Sequence, residues 1–63
     1  MKIIIKFNDE TPDRIFKEAE FVRSILKLEY VTGFVEIKER YEYRSETTSF
    51  PSDKIREIIK EET

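Results

Sequence analysis

The 63-residue chain contains no cysteine, no histidine and no tryptophan, and it has a single glycine. Without cysteine it can form neither disulfides nor thiolate zinc sites. Without histidine it lacks the most common metal ligand and general base. One glycine cannot supply the glycine-rich loops of Walker or dinucleotide-binding motifs. These absences exclude many familiar routes to catalysis and nucleotide binding.

Charged residues are abundant but balanced, because 12 basic residues face 14 acidic ones and the net charge is −2. The two signs are interspersed, so we expect no general attraction to nucleic acid or to an anionic membrane. The apolar run Ile3–Ile5 is far too short for a membrane span or a signal peptide. We therefore expect one folded domain over residues 1–63, in the cytoplasm, with no membrane partner. A chain this short gains stability from oligomerisation, so a homodimer is an expected form.

The central stretch of the chain, Leu26–Ile37, contains the lone Gly33 between two segments in which apolar and polar residues alternate. We predict a long β-hairpin with Thr32 and Gly33 in a primed turn, where glycine supplies the positive φ. This register sets Tyr30 opposite Val35, Leu28 opposite Ile37, Ser24 opposite Tyr41 and Val22 opposite Tyr43, all on one buried face.

The segment from Thr11 to Tyr30 has two interpretations. A helix would begin with Thr11 as N-cap and Pro12 at the first position, with an apolar stripe over residues 15, 19, 22 and 26. In the β interpretation, Arg14 to Glu18 returns beside an initial strand, Met1 to Phe7, and Phe21 to Tyr30 forms the first arm of the central hairpin. The β interpretation leaves Ile25 on the solvent face and sets Glu39 opposite Leu26.

In the rest of the chain, the tail again has both a helical and a β interpretation. Phe34 to Tyr43 alternates as a strand, residues 44–46 form a turn, and residues 47–50 form a short strand that Pro51 ends. The tail is either a helix or a tight turn at 51–54 followed by a closing strand. We predict a mainly β domain of five or six strands, curled like an SH3-type barrel. The alternative is a β-α-β-β-α fold with helices at 12–28 and 52–62.

Three short stretches carry a resemblance to known proteins: residues 2–11, residues 16–22, and Thr47-Thr48-Ser49-Phe50-Pro51 followed by Ile55 and Ile58. In these stretches the chain resembles the small, strand-rich proteins encoded by phages and mobile elements of Gram-positive bacteria. The resemblance implies a compact strand-rich fold and a role as an effector that binds and inhibits a host protein. It transfers no catalytic residues, and residues 24–32 depart from it as an added length of hairpin.

Catalytic and metal sites are not expected. None of the four serines lies in a G-x-S-x-G elbow, so no activated nucleophile of that kind is indicated. Asp9, Glu10 and Asp13 offer oxygen ligands to calcium, but their spacing matches no EF-hand loop. We predict a protein that is not an enzyme and holds no cofactor.

Protein–protein interaction remains as the predicted role, because outward-facing apolar side chains on a small sheet indicate a surface that binds a partner. The candidate interaction surface comprises Ile4, Ile25, Phe34, Lys27, Lys38 and Arg40. The alternative is single-stranded nucleic-acid binding, in which tyrosines stack on bases and cations contact phosphates. It would use Tyr30, Tyr41 and Tyr43 beside Lys27, Lys38, Arg40 and Arg44, although the hairpin register places Tyr41 and Tyr43 in the core.

Overall fold

A computed structural model describes residues 1–18 and 25–62, and these form six β-strands and one 3₁₀ turn. The strands are β1 (Lys2–Phe7), β2 (Arg14–Lys17), β3 (Ile25–Val31), β4 (Phe34–Arg40), β5 (Ser45–Pro51) and β6 (Ile55–Glu61), with the 3₁₀ turn at Ser52–Lys54. The described residues contain no α-helix. The prediction of a mainly β chain is therefore confirmed, and the alternative helices at 12–28 and 52–62 are wrong wherever those residues are described.

Two antiparallel three-stranded sheets make up the fold. The first sheet has the strand order β2-β1-β6, and the second has the order β3-β4-β5. Every neighbouring pair in the second sheet is consecutive in sequence, whereas the first sheet joins the first strand to the last. The predicted return strand at Arg14 to Glu18 is confirmed as β2. Residues 21–24, the predicted start of the first arm of the central hairpin, lie outside the described residues.

The core lies between the inner faces of the two sheets. Alternation along β1 places Ile3 and Ile5 fully inside, and β4 contributes Ile37, which is also fully buried. Burying each such side chain stabilises the fold by about 1.5–3 kcal/mol. The other hydrophobic residues that are buried within the described ranges are Phe7, Phe16, Leu26, Val35 and Phe50.

Aromatic contacts join the sheets at one end of this core. The ring of Phe50 lies 5.6 Å from that of Phe7 and 6.1 Å from that of Phe16, in tilted and edge-on arrangements that aromatic pairs prefer. The guanidinium of Arg14 lies over both Phe16 and Phe50, at 5.4 and 5.6 Å from the ring centroids. The Arg14 side chain thus makes a cation–π contact with both rings of the Phe16–Phe50 pair.

The central hairpin has the predicted register, with Leu28 opposite Ile37 and Tyr30 opposite Val35. Gly33 has a φ of 81°, and no other described residue has a positive φ. A primed turn needs a positive φ at the first central residue, so the predicted turn type is wrong, and the signs of φ match a type II turn. The reason is Thr32, whose β-branched side chain disfavours positive φ.

The second turn of this sheet lies earlier than predicted. β4 ends at Arg40, and the backbone N–H of Tyr41 donates to the carbonyl of Arg44 at 2.8 Å. The predicted strand to Tyr43 and turn at 44–46 are therefore wrong. Tyr43 is 93% exposed and Tyr41 is half-buried, so neither lies in the core. Their predicted partners Val22 and Ser24 lie outside the described residues.

The closing segment confirms the tight turn followed by a strand. Pro51 ends β5, and the 3₁₀ turn leads directly into β6 beside β1. Backbone hydrogen bonds fix this corner, from Asn8 N–H to the carbonyl of Lys54 at 2.9 Å and from Ser52 N–H to that of Gly33 at 3.0 Å. The corner therefore ties the hairpin tip of the second sheet to the start of β6.

Candidate interaction surface

The face of the second sheet that points away from the core is the candidate surface, and it is called the outer face below. Strand alternation places Leu26, Val35, Ile37 and Phe50 inward, so their sequence neighbours point outward. Cross-strand pairing arranges the outer residues in four rows. The rows are Ile25, Arg40 and Ser45; Lys27, Lys38 and Thr47; Glu29, Glu36 and Ser49; and Val31, Phe34 and Pro51.

Five of the six predicted surface residues share this face, but they are not all close together. Ile25 and Phe34 lie in the first and last rows, which are six strand residues apart. At about 3.3 Å per residue the separation is about 20 Å. The sequence therefore identified two apolar positions at opposite ends of one face, and both are substantially exposed, at 62% and 47%.

The cations in the middle of the outer face are tied to a carboxylate. The Nζ atoms of Lys27 and Lys38 each lie 2.9 Å from an oxygen of Glu29. These contacts lower the pKa of Glu29, and the same carboxylate raises the pKa of Lys38. Both lysines are partly neutralised in place, which weakens this part of the face as a phosphate-binding surface.

The tip of the β3–β4 hairpin carries three of the six large hydrophobic side chains that are exposed among the described residues. Tyr30 is 71% exposed, and Val31 and Phe34 are each 47% exposed. Pro51 lies opposite Phe34 on β5. Phe34 belongs to the predicted surface, whereas Val31 does not, and the predicted register places Tyr30 inward. Tyr30 does occupy an inward position, but so near the tip that its ring is 71% exposed.

The opposite end of the outer face has a depression of about 470 Å³ lined by Ile25, Arg40, Tyr41 and Glu42. The hydroxyl of Tyr41 donates to Glu39 Oε2 at 3.0 Å, and this bond raises the pKa of the phenol. The guanidinium of Arg44 lies 4.5 Å from the Tyr41 ring centroid. Tyr41 is thus held by two charged neighbours.

Ile4, the sixth predicted residue, lies elsewhere. It belongs to the first sheet, where it pairs with Ile15 on one side and Ile59 on the other. Ile4 and Ile59 are half-buried, and Ile15 is 55% exposed. The outward position of Ile4 agrees with the prediction, but it does not join the outer face of the second sheet. Ile15 is a surface residue that the β interpretation did not single out.

The carboxylates of the first loop have local roles. Asp9 accepts the backbone N–H of Thr11 at 2.8 Å, and hydrogen bonding from the side chain of Thr11, followed by that from its backbone, lowers the pKa of Asp9. Asp13 binds the Nζ of Lys6 at 2.9 Å. Within the described ranges, no three acidic side chains converge as a metal ion would require.

The chain exposes more surface than its mass suggests. Its accessible area is 4979 Å² at 7.7 kDa, whereas a compact monomer of that mass exposes about 4,300 Å². Among the described residues, no helix is long and apolar enough to cross a membrane. Comparison with protein-family models, curated proteins and solved structures finds no match to this chain.

Proposed function

We propose that this protein is a small, non-enzymatic interaction module that binds a partner protein through the hairpin tip formed by Tyr30, Val31 and Phe34. The observation that carries the proposal is the exposure of these three large side chains at one end of one hairpin. Isolated exposed apolar residues are normal on proteins, but a group of them at one hairpin tip is characteristic of binding sites.

The tip fits the anatomy of a binding hot spot. Val31 and Phe34 present apolar surface on the outer side of the tip, and Tyr30 presents its ring and hydroxyl on the inner side. A pocket that encloses the tip from both sides gains a large contact area at little cost in rotamer freedom. The backbone beneath these side chains is held by strand pairing and by the hydrogen bond between Ser52 and Gly33. A partner with an apolar pocket would therefore bind a tip that is already ordered, at a reduced entropic cost.

The partner we propose is a host protein that the module inhibits, as the resemblance to phage and mobile-element proteins implies. Size and the lack of histidine and cysteine support an effector that acts by occupying a surface rather than by chemistry. A domain of this size can block a site about as large as a standard interface, which buries about 800 Å² on each partner.

For the arrangement of the two sheets we propose an SH3-like curled fold. Two observations support it: the first strand pairs with the last, and a 3₁₀ turn separates β5 from β6. Small curled sheets of this kind expose loops and hairpin tips on a rigid framework, which suits a binding role.

Capture from a host lysate tests the proposal with three baits. The wild-type chain should retain one protein at about equal molar amount, and Phe34→Ser should lose it. Ile15→Ser is the matched control, because it removes an apolar residue of similar exposure from the other sheet. Capture by all three baits, or by none, would contradict the assignment of the tip.

Single-stranded nucleic-acid binding is the second candidate, and the exposure of Tyr43 favours it. That ring is 93% exposed in the Tyr41–Arg44 turn, beside Arg44 in the sequence, instead of being in the core. A stacked base would contribute about 1–3 kcal/mol. Fluorescence anisotropy with a labelled 20-mer oligonucleotide tests it: affinity should fall steeply with salt and drop at least about fivefold in Tyr43→Ala. Unchanged affinity in that variant would eliminate this candidate.

A further inference from the structure

The outer edge of β5 presents unpaired backbone groups. Within residues 1–18 and 25–62, β5 pairs with β4 alone. The N–H of Tyr41 bonds to Arg44 at the turn, so the alternation of an antiparallel ladder assigns residues 46, 48 and 50 to bonding with β4. The amides and carbonyls of Ser45, Thr47 and Ser49 then point away from the sheet.

This edge lacks the features that prevent strands from pairing. β2 is protected by its short length, and β6 carries Arg56, Glu57, Lys60 and Glu61. β5 is seven residues long, has the single charged residue Glu46, and pairs with β4 without a register shift. Edge strands in stable monomers are normally blunted by charge, proline or a bulge, and β5 has only the one charge of Glu46 and, at its very end, Pro51.

We infer that β5 pairs with β5 of a second copy of this chain, antiparallel and centred on Thr47. The two-fold axis then sets Thr47 opposite Thr47 and Ser45 opposite Ser49 of the partner, on the outer face. Glu46 comes opposite Thr48 on the inner face, so no like charges meet. About six backbone hydrogen bonds form, two for each of the three pairs. The product is one continuous six-stranded sheet.

Neighbouring registers are poorer. Centring on Glu46 places two carboxylates directly opposite each other, which is destabilising. Centring on Thr48 brings Pro51, which has no N–H, opposite Ser45 and leaves a hydrogen bond unmade. If the two-fold axis lay between two residues instead of on one, the pairing would shift by a single residue. Because the side-chain period is two, such a pairing would put inner residues opposite outer ones. The sequence of β5 thus matches its own reverse best about Thr47.

A second copy is the occupant because the sequence of β5 is complementary to its own reverse about Thr47. The chain as a whole exposes about 650 Å² beyond what a compact monomer of its mass exposes, and a dimer would bury part of its surface, about 800 Å² per partner in a standard interface. An edge-to-edge contact is smaller than the standard interface, so the dimer should be in concentration-dependent exchange with monomer. The inference stands independently of the proposed partner, because it concerns the purified chain alone.

Sedimentation equilibrium of the purified chain between micromolar and millimolar concentration measures the association. Thr47→Glu should weaken the association at least tenfold, because two carboxylates would meet on the two-fold axis. Within its own chain, each new carboxylate lies opposite Lys38 on β4, which is a complementary charge. The double variant Ser45→Glu with Ser49→Lys should strengthen the association at least tenfold, since each new charge meets an opposite one across the axis. Each also lies opposite a complementary residue of its own chain, Arg40 or Glu36.

A covalent test reads the register directly, since the natural chain has no cysteine. Under oxidation, Thr47→Cys should give a disulfide-linked dimer at least tenfold faster than Glu57→Cys on the edge strand β6, with circular dichroism confirming that both variants fold. Monomeric wild-type protein at millimolar concentration, or equal crosslinking of the two variants, would overturn the inference. So would an association that Thr47→Glu leaves unchanged.

Discussion

Replacing Gly33 isolates the cost of one backbone angle. The residue has a φ of 81°, and a Cβ built on it meets no heavy atom within 4 Å. An L-alanine therefore encounters no clash, and its cost arises from the left-handed conformation alone, about 1–2 kcal/mol. Alanine also reduces the conformational entropy of the unfolded chain, and this effect stabilises the folded state by about 0.4–1 kcal/mol. The net loss for Gly33→Ala should be about 1 kcal/mol.

D-alanine at position 33 should change the free energy of unfolding in the opposite direction from L-alanine. D-alanine favours a positive φ, so it keeps the benefit in the unfolded state without the strain, and it should stabilise the fold by about 0.4–1 kcal/mol. A chain of 63 residues is accessible to chemical synthesis, which permits the substitution. Asparagine tolerates the left-handed region better than alanine, so Gly33→Asn should fall between wild type and Gly33→Ala.

Urea unfolding followed by far-ultraviolet circular dichroism gives the free energies. For a domain of this size, a loss of 1 kcal/mol lowers the melting temperature by about 4–8 °C. Thr32→Ala is the matched control, because Thr32 occupies the same turn without a positive φ and should change stability by less than about 0.5 kcal/mol. If L-alanine at position 33 matched the wild type, or if D-alanine were worse than L-alanine, the assigned turn would be incorrect.

Two further predictions concern the core and the outer face. Ile37→Ala should cost about 2–5 kcal/mol in a urea titration because Ile37 is fully buried, whereas Ile15→Ala, at a 55% exposed position, should cost under about 1 kcal/mol; equal losses would refute the assigned core. The pKa of Glu29 is lowered by Lys27 and Lys38, so its contribution to stability is present above the unfolded-state value of about 4.3 and is lost as pH falls through the lower folded-state value. Unfolding titrations from pH 7 to pH 2 should therefore show Glu29→Gln less stable at neutral pH and converging with wild type in acid, and a constant difference would contradict the ion pairs.

Hairpin register was predictable because it depends on alternation and on one special residue. Leu28 and Ile37 could face the core together only if the chain reversed at Thr32 and Gly33, and that reversal is what the structure has. The turn type was mispredicted because glycine alone indicates a positive φ without showing whether its neighbour shares it. Thr32 indicates that the neighbour does not share it, since a β-branched residue disfavours the left-handed region.

The ends of the strands and the exposure of individual side chains were harder to predict from the sequence than the hairpin register. The alternation of β4 continues past Arg40 through Tyr41 and Tyr43 with no glycine or proline to mark the turn. Alternation fixes which face a side chain takes, but it does not show how far the covering sheet extends. Tyr30 occupies an inward position and is nevertheless 71% exposed, because it lies near the tip. The exposed residues at the hairpin tip were therefore predicted only in part.

The proposed dimer and the proposed binding tip are geometrically compatible. Antiparallel pairing about Thr47 leaves both outer faces on the same side of the six-stranded sheet and directs the two tips toward opposite ends. The row of Phe34 and Pro51 lies four residues from Thr47, so the tip rows are about 26 Å apart along the strands. A partner bound at one tip would leave the other accessible. Two linked copies would then bind a dimeric target with higher avidity than one copy, provided that its two sites match this spacing.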